Sequence, residues 1–314
     1  MIAAANSPSY PVTTGTPALR DAIKKWSIDN LGIKGDFDVI PTIGSKELVA
    51  WLPTLLQAKH VLYPEIAYPT YLVGAIMGGA THESVGIDAS KWPPADLAWV
   101  NTPSNPTGRV HSRSELQAVV DYSRRHKTII ASDECYISFP AGSSKPISIF
   151  EVADGDNTNL LAVHSLSKRS NLAGYRAAFV VGDSALIARI LEVRKHAGMM
   201  VPLPVQKAMT AALADEVHVQ EQAERYRARR AVLQSAIESQ GFRVDETEAG
   251  LYLWVTRGES DWDSVRWFVQ FGILVTPGHF YGEAGNRHVR IALTATDEQI
   301  ETAARRISES KVNK

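Results

Sequence analysis

The chain has 314 residues, with 33 Lys and Arg against 34 Asp and Glu, and a formal net charge of −1. That length can bury one or two domain cores, and that balance leaves no electrostatic footprint for nucleic acid or an acidic membrane surface. Cys135 is the only cysteine, which excludes an intrachain disulfide and points to a cytoplasmic location, and the 9 histidines lack zinc-type spacing, so no metal site is expected.

In chain order, Met1-Ile-Ala-Ala-Ala-Asn reads as part of a helix and leads to Tyr10-Pro-Val-Thr-Thr-Gly15-Thr-Pro-Ala-Leu-Arg20. Val39-Ile-Pro-Thr-Ile-Gly44-Ser45-Lys46-Glu47 then reads as strand, tight glycine turn and helix start, continued by a periodic apolar segment at 48–56. The unpaired N–H groups of such a helix start can hold an anion. Tyr63-Pro-Glu-Ile-Ala-Tyr68-Pro-Thr-Tyr71 follows. The apolar run 97–100 ends in Asn101-Thr-Pro-Ser-Asn105-Pro-Thr-Gly108. Asn and Pro make a turn there and Gly108 permits a left-handed conformation; alone, this is an ordinary turn before a helix at 112–126. Thr128-Ile-Ile-Ala-Ser-Asp133-Glu-Cys-Tyr136 is a strand pattern ending in a carboxylate, which in isolation reads equally as a turn cap. Cys135, on that strand, reads as a packed small residue.

Between apolar strands at 160–163 and 177–181 lies Ser165-Leu-Ser-Lys168-Arg-Ser-Asn-Leu-Ala-Gly174-Tyr-Arg176. A lysine there can form a Schiff base with an aldehyde cofactor, and Ser165, Ser167 and Arg176 can hold a phosphate dianion beside it. A lone lysine in a polar loop is ordinarily just solvated; its neighbours' spacing sets this one apart. A helix at 184–196 and a long helical stretch at 205–240 come next, then strand 251–255, helix 261–271, strand 289–293 and helix 297–308. The alternation from 39 to 181 predicts a parallel α/β sheet with helices on both faces and functional loops after the strands.

Taken together and in this order, the segments resemble the class I/II aminotransferases, fold type I enzymes that use pyridoxal 5′-phosphate (PLP). The resemblance implies a large parallel-rich α/β/α domain and a small α+β domain. It implies Lys168 as the covalent anchor and proton carrier, with Ser165, Ser167, Arg176 and the Gly44-Ser45-Lys46 turn on the phosphate. Asp133 would face the pyridine nitrogen, keep it protonated and so sustain its electron withdrawal. Asn105 and Tyr136 would meet the 3′ oxygen, and Tyr68 would stack on the ring. Arg290, in His288-Val-Arg290-Ile-Ala-Leu, would grip the substrate α-carboxylate, next to Asn105. Tyr10 would reach the phosphate of a partner subunit, which implies a homodimer with composite sites.

The expected division is an N-terminal segment at 1–25, a large domain at 26–204 with Pro202 and Pro204 at its end, and a linking helix plus small domain at 205–314. Family members carry a further few dozen residues before the first segment, so 1–25 reads as cut short. The implied activity is transamination between amino acids and 2-oxo acids. Around 44–53 and 63–75 the text is most similar to N-succinyldiaminopimelate aminotransferases of lysine and diaminopimelate synthesis, with 2-oxoglutarate and glutamate as the other pair. Arg109 is then a candidate for the distal carboxylate, although a surface arginine looks the same in sequence. An aspartate or broad-range aminotransferase is the close alternative; a PLP β-lyase, a decarboxylase or a poorly active PLP-binding protein stays open. No signal-peptide pattern and no apolar run of membrane-spanning length is found, so no membrane partner is expected.

Overall fold

The structure, a computed structural model, describes residues 1–143 and 145–309. Residues 310–314, the end of the expected C-terminal domain, lie outside the described residues. The elements run α1 (Pro17–Leu31), β1 (Asp38–Ile43), α2 (Ser45–Leu55), β2 (His60–Pro64), α3 (Thr70–Met77), β3 (Thr81–Val85), β4 (Leu97–Asn101) and α4 (Arg113–His126). Next come β5 (Ile129–Asp133), β6 (Leu160–Ser165), α5 (Leu166–Arg169), β7 (Ala177–Gly182), α6 (Ser184–His196), α7 (Leu203–Leu213) and α8 (Val217–Glu238). The last are β8 (Arg243–Asp245), β9 (Tyr252–Thr256), α9 (Asp261–Val269), β10 (Thr276–Pro277), β11 (Val289–Ala292) and α10 (Asp297–Ser308).

Seven strands form one sheet in the order β1-β7-β6-β5-β4-β2-β3. Its inner strands β4, β6 and β7 read as mostly apolar runs because both faces are covered, whereas the edge strand β3 is polar and largely exposed. Successive residues go to opposite faces: Leu161 and Val163 join one core, Leu160 and Ala162 the other. Pairing is parallel from β3 to β6, but β7 is antiparallel to both β6 and β1. A parallel return needs a long crossover; residues 166–176 are taken up by the lysine segment, so β7 comes straight back. A second sheet, β10-β11-β9-β8, is antiparallel throughout. Its residues Leu253, Val255 and Val289 share one apolar cluster with Val163 and Trp99, so the core runs on from one sheet to the other.

Three details differ from expectation. The helical stretch at 205–240 is two helices, broken at 214–216. Glu216 there accepts from Trp26 Nε1 at 3.1 Å, and Asp215 Oδ1 from the Val217 amide at 2.9 Å, which turns the chain between them. α7 packs on the large-sheet side: Val205, Met209 and Leu213 join the core of α1, and Gln206 Oε1 accepts from Thr16 N at 2.8 Å. At the front, Ile2–Ala4 is a single 3₁₀ turn without a buried residue. Cys135 sits in the turn after β5 rather than on the strand, and is buried.

Candidate active site

The site gathers at the C-terminal ends of β4, β5 and β6, where open α/β sheets present their ligand-binding loops. A cavity of about 370 Å³ is lined by Ser45, Lys46, Tyr68, Asn105, Asp133, Tyr136, Ser165, Ser167, Lys168, Arg176 and Arg290. Sequence segments spread from 45 to 290 thus converge on one place. Tyr10, expected to serve a partner's site, and Arg109 stand apart from it. Tyr10 is 93% exposed and lies outside this lining. Arg109 lines a neighbouring chamber, its guanidinium held by Glu115 at 2.8 Å and Glu246 at 3.5 Å.

One wall is built for an anion. Gly44 stands before α2 with φ at 76°, and a Cβ added there would come within 2.2 Å of Arg176 Nη2. Only glycine lets the guanidinium lie against this turn. Arg176 Nη1 donates to Ala173 O at 2.7 Å, which fixes the fork. Ser165 ends β6 and caps α5, accepting from Ser167 N at 3.2 Å. The free N–H groups at the start of α2 complete a cradle of donors.

The opposite wall carries Asp133, at the end of β5 and buried. Burial pushes its carboxyl up from the ordinary value, opposed by bonds from Cys135 and Tyr71 and by the Lys168 charge. Tyr71 Oη donates to Asp133 Oδ2 at 2.9 Å, and the Cys135 amide to Oδ1 at 3.2 Å. Tyr71 in turn stacks on Trp99, centroids 4.8 Å apart. Tyr68 meets Tyr71 edge-on, and Lys46 Nζ lies 5.5 Å from the Tyr68 ring centroid. Lys168 Nζ lies 5.9 Å from the centre of the Tyr136 ring, and the Tyr136 hydroxyl is 3.2 Å from that of Tyr252. Burial and that second phenol push the Tyr136 hydroxyl well above its ordinary value.

The two sheets meet at Arg290 on β11. Its Nη1 donates to Asn105 Oδ1 at 2.9 Å, and its guanidinium carbon lies 4.1 Å from the Tyr252 ring centroid. Asn105 is positioned by its own amide donating to Asn101 Oδ1 at 2.8 Å. Gly108 closes this loop at φ 79°, the left-handed conformation its sequence anticipates. Arg290 Nε is buried without a hydrogen-bond partner among the described residues, an orphaned charged donor in the cavity lining. Sequence reasoning missed Tyr71 and Tyr252 as site residues. Tyr71 was visible in the Tyr68-Pro-Thr-Tyr71 spacing; Tyr252 sits in an apolar strand pattern that gives no polar signal.

A donor cradle, a buried carboxylate and a lysine lining one cavity, in loops above an α/β/α sheet, define a PLP-dependent enzyme of fold type I, and the residues present fit that cofactor. The chain belongs to the aminotransferase class I and II family, whose model matches residues 3–307. It is 49% identical to the 4-dedimethylamino-4-oxo-anhydrotetracycline transaminase of Streptomyces rimosus, over 98% of this chain and 88% of that protein. It is 50% identical to a probable aminotransferase of Mycobacterium tuberculosis, over 98% of this chain and 75% of that one. Among solved structures, a probable N-succinyldiaminopimelate aminotransferase of Thermus thermophilus superposes with a TM-score of 0.89 at 26% identity, covering 98% of this chain and 89% of that one. Proteins of this family use PLP and act on amino acids and 2-oxo acids.

Proposed function

We propose that the chain transaminates an N-succinylated diaminopimelate-type amino acid with 2-oxoglutarate and glutamate as the second pair. The observation that carries an amino-acid substrate is the Arg290–Asn105 bond of 2.9 Å at the rim of the cavity that holds Lys168. The guanidinium fork receives the α-carboxylate through two parallel hydrogen bonds, with Nε as one donor. Ser45, Lys46, Ser165, Ser167 and Arg176 hold the cofactor phosphate, and Asn105 and Tyr136 meet its 3′ oxygen. Bound PLP supplies a sink for the electron pair left at the substrate α-carbon. Asp133 keeps its charge for the ring nitrogen, helped by the Tyr71 hydroxyl. The Lys168 amine takes the α-proton and later returns one, as general base and then acid. Tyr252 orients Tyr136 through the contact between their hydroxyls.

The N-succinyl reading draws support from the Thermus structure and the motif text at 44–53 and 63–75. Its distal carboxylate needs a cation, and Arg109 is held by two glutamates outside the cavity. Among the cations lining the cavity, the Lys46 ammonium is left for it, since Lys46 meets the phosphate through its backbone amide. Tyr10, fully extended into solvent, has room to meet a second copy, so a homodimer with composite cytoplasmic sites belongs to the same reading. We place the domain division at 214–216.

A second reading has its own observation. The neighbouring chamber, about 290 Å³, carries Trp92, Trp99 and Trp254, and the Streptomyces relative is named for a polycyclic substrate. A substrate with a large ring would favour that side. A half-reaction screen at the PLP absorption band, run with glutamate, aspartate, N-succinyldiaminopimelate and aromatic amino acids, tests both. Preference for glutamate and the succinylated donor supports the first. Rapid reaction of aromatic donors alone supports the second. Elimination products or CO₂ in place of 2-oxo acids would contradict transamination.

A further inference from the structure

Behind the site lies a pair of titratable groups that the reaction does not touch. Glu134 follows Asp133 in the chain and points to the other side of the sheet, with no exposed surface. Its Oε1 accepts from Ser132 Oγ at 2.9 Å and from the Ile149 amide at 3.0 Å. Among the described residues its Oε2 is buried without a hydrogen-bond partner and lies 3.5 Å from His164 Nε2, which is orphaned in the same way. His164, on β6, is 4% exposed and packed between Trp26 and Phe179 at 5.1 and 5.2 Å. Two orphans at that separation are one shift from a hydrogen bond, and such a bond needs one proton between them. Two buried ions would each pay desolvation; the bonds to Oε1 offset part of it for Glu134, but among the described residues His164 makes no other hydrogen bond that would offset its own.

The surroundings decide where the proton sits. Asp133 lies beside Glu134 and opposes a second negative charge. Arg169 on α5 lies on the His164 side, its guanidinium carbon 5.5 Å from the Trp26 ring and bonded to Glu216; it opposes a second positive charge. The turn that carries Ile149 adds Glu151, which is tied to Arg113. Burial first, with those charges, pushes Glu134 up to about 7 and His164 down to about 3.

We propose that Glu134 is a protonated acid donating to His164 Nε2, so that Asp133 is the single negative charge at the end of β5. Glu134 is then a positioning residue. It ties the end of β5 to the Ile149 turn and to β6, and it holds its own charge off. A second negative charge next to Asp133 would raise the proton affinity of Asp133 and discharge the group that faces the cofactor. The pairing holds whatever the substrate is.

The apo-protein supplies the direct test. Infrared difference spectra of wild type against Glu134→Gln at pH 6 should show the C=O stretch of one protonated carboxyl, lost in the variant. No such band would overturn the proposal. Stability gives a second readout with a defined sign. Between about pH 4.5 and 6.5 the unfolded chain carries the pair's proton on the histidine and the folded chain carries it on Glu134, so unfolding takes up none. Glu134→Gln removes the folded-state proton, and its unfolding then takes up one. Its folding equilibrium constant should therefore fall, relative to wild type, about tenfold per pH unit as pH drops through that window. A ratio independent of pH would overturn a shared proton. Below about pH 7, where Glu134 holds its proton, the loaded variant should carry out the half-reaction at close to the wild-type rate, because a neutral amide mimics the acid; a large loss there in a folded variant would overturn the positioning role. If the variant fails to fold, the ¹⁵N spectrum of His164 in wild type decides. A bare Nε2 acceptor supports the pair, and two protonated nitrogens overturn it.

Discussion

Tyr71→Phe removes one atom from the wall that carries Asp133. The phenol is fully buried, its hydroxyl lies 2.9 Å from Asp133 Oδ2, and its ring stacks on Trp99. Phenylalanine keeps the stack and deletes only the donor. A hydrogen bond to a charged group contributes about 1.5–3 kcal/mol, and if all of it acts on the ionised carboxylate the half-reaction with an amino donor slows about ten- to hundredfold. The direction with pH is fixed. Burial already raises the Asp133 carboxyl, and the Tyr71 bond is among the effects that lower it. Without it, the carboxyl rises further, the ionised form appears only at higher pH, and the acid limb of the rate profile moves upward. Stopped-flow traces at the PLP band across pH, beside a thermal melt that shows the fold intact, measure both. A wild-type rate with an unmoved acid limb would mean that the Tyr71 hydroxyl does not support the Asp133 charge.

Gly44→Ala should cut affinity for PLP strongly, since its Cβ would meet Arg176 Nη2 at 2.2 Å and the backbone is in the left-handed region; a PLP titration of the apo-protein reads it. Arg109→Ala should change kcat/KM equally for succinylated and unsubstituted donors, because the guanidinium is engaged by Glu115 and Glu246; a selective loss for the succinylated donor would return it to the site. Mixing Tyr10→Phe with Lys168→Ala subunits should restore activity in hybrid dimers, each with one intact site. No recovery from confirmed hybrids would count against Tyr10 acting across the interface.

The segments that carry backbone-determined chemistry were legible in the sequence. Gly44, the Asn105-Pro-Thr-Gly108 loop and the Ser165–Arg176 run declare themselves by turn residues at fixed spacing, and the structure gathers them. The sheet was legible as alternating apolar runs, but the reversal of β7 was not, since strand direction depends on what the connection must do. The break at 214–216 escaped because the Asp215 turn at Val217 looks local and weak in sequence, and its other support, Trp26 on Glu216, is a contact with α1 190 positions away in the chain. Tyr252 and the Glu134–His164 pair escaped for a related reason. A polar group inside an apolar strand acquires its role only from what lies across the sheet.

The central claim is that Lys168, in the cavity bounded by Asp133, Arg176 and Arg290, holds PLP and carries the proton. Lys168→Ala, refolded and loaded with PLP, tests it most directly, with absorption and turnover followed together. Wild-type protein with PLP should show the visible band of a lysine-bound cofactor, the variant should lack this band while still binding PLP through its phosphate cradle, and transaminase turnover should disappear. A variant that kept the band, or turned over amino donors at the wild-type rate, would contradict it.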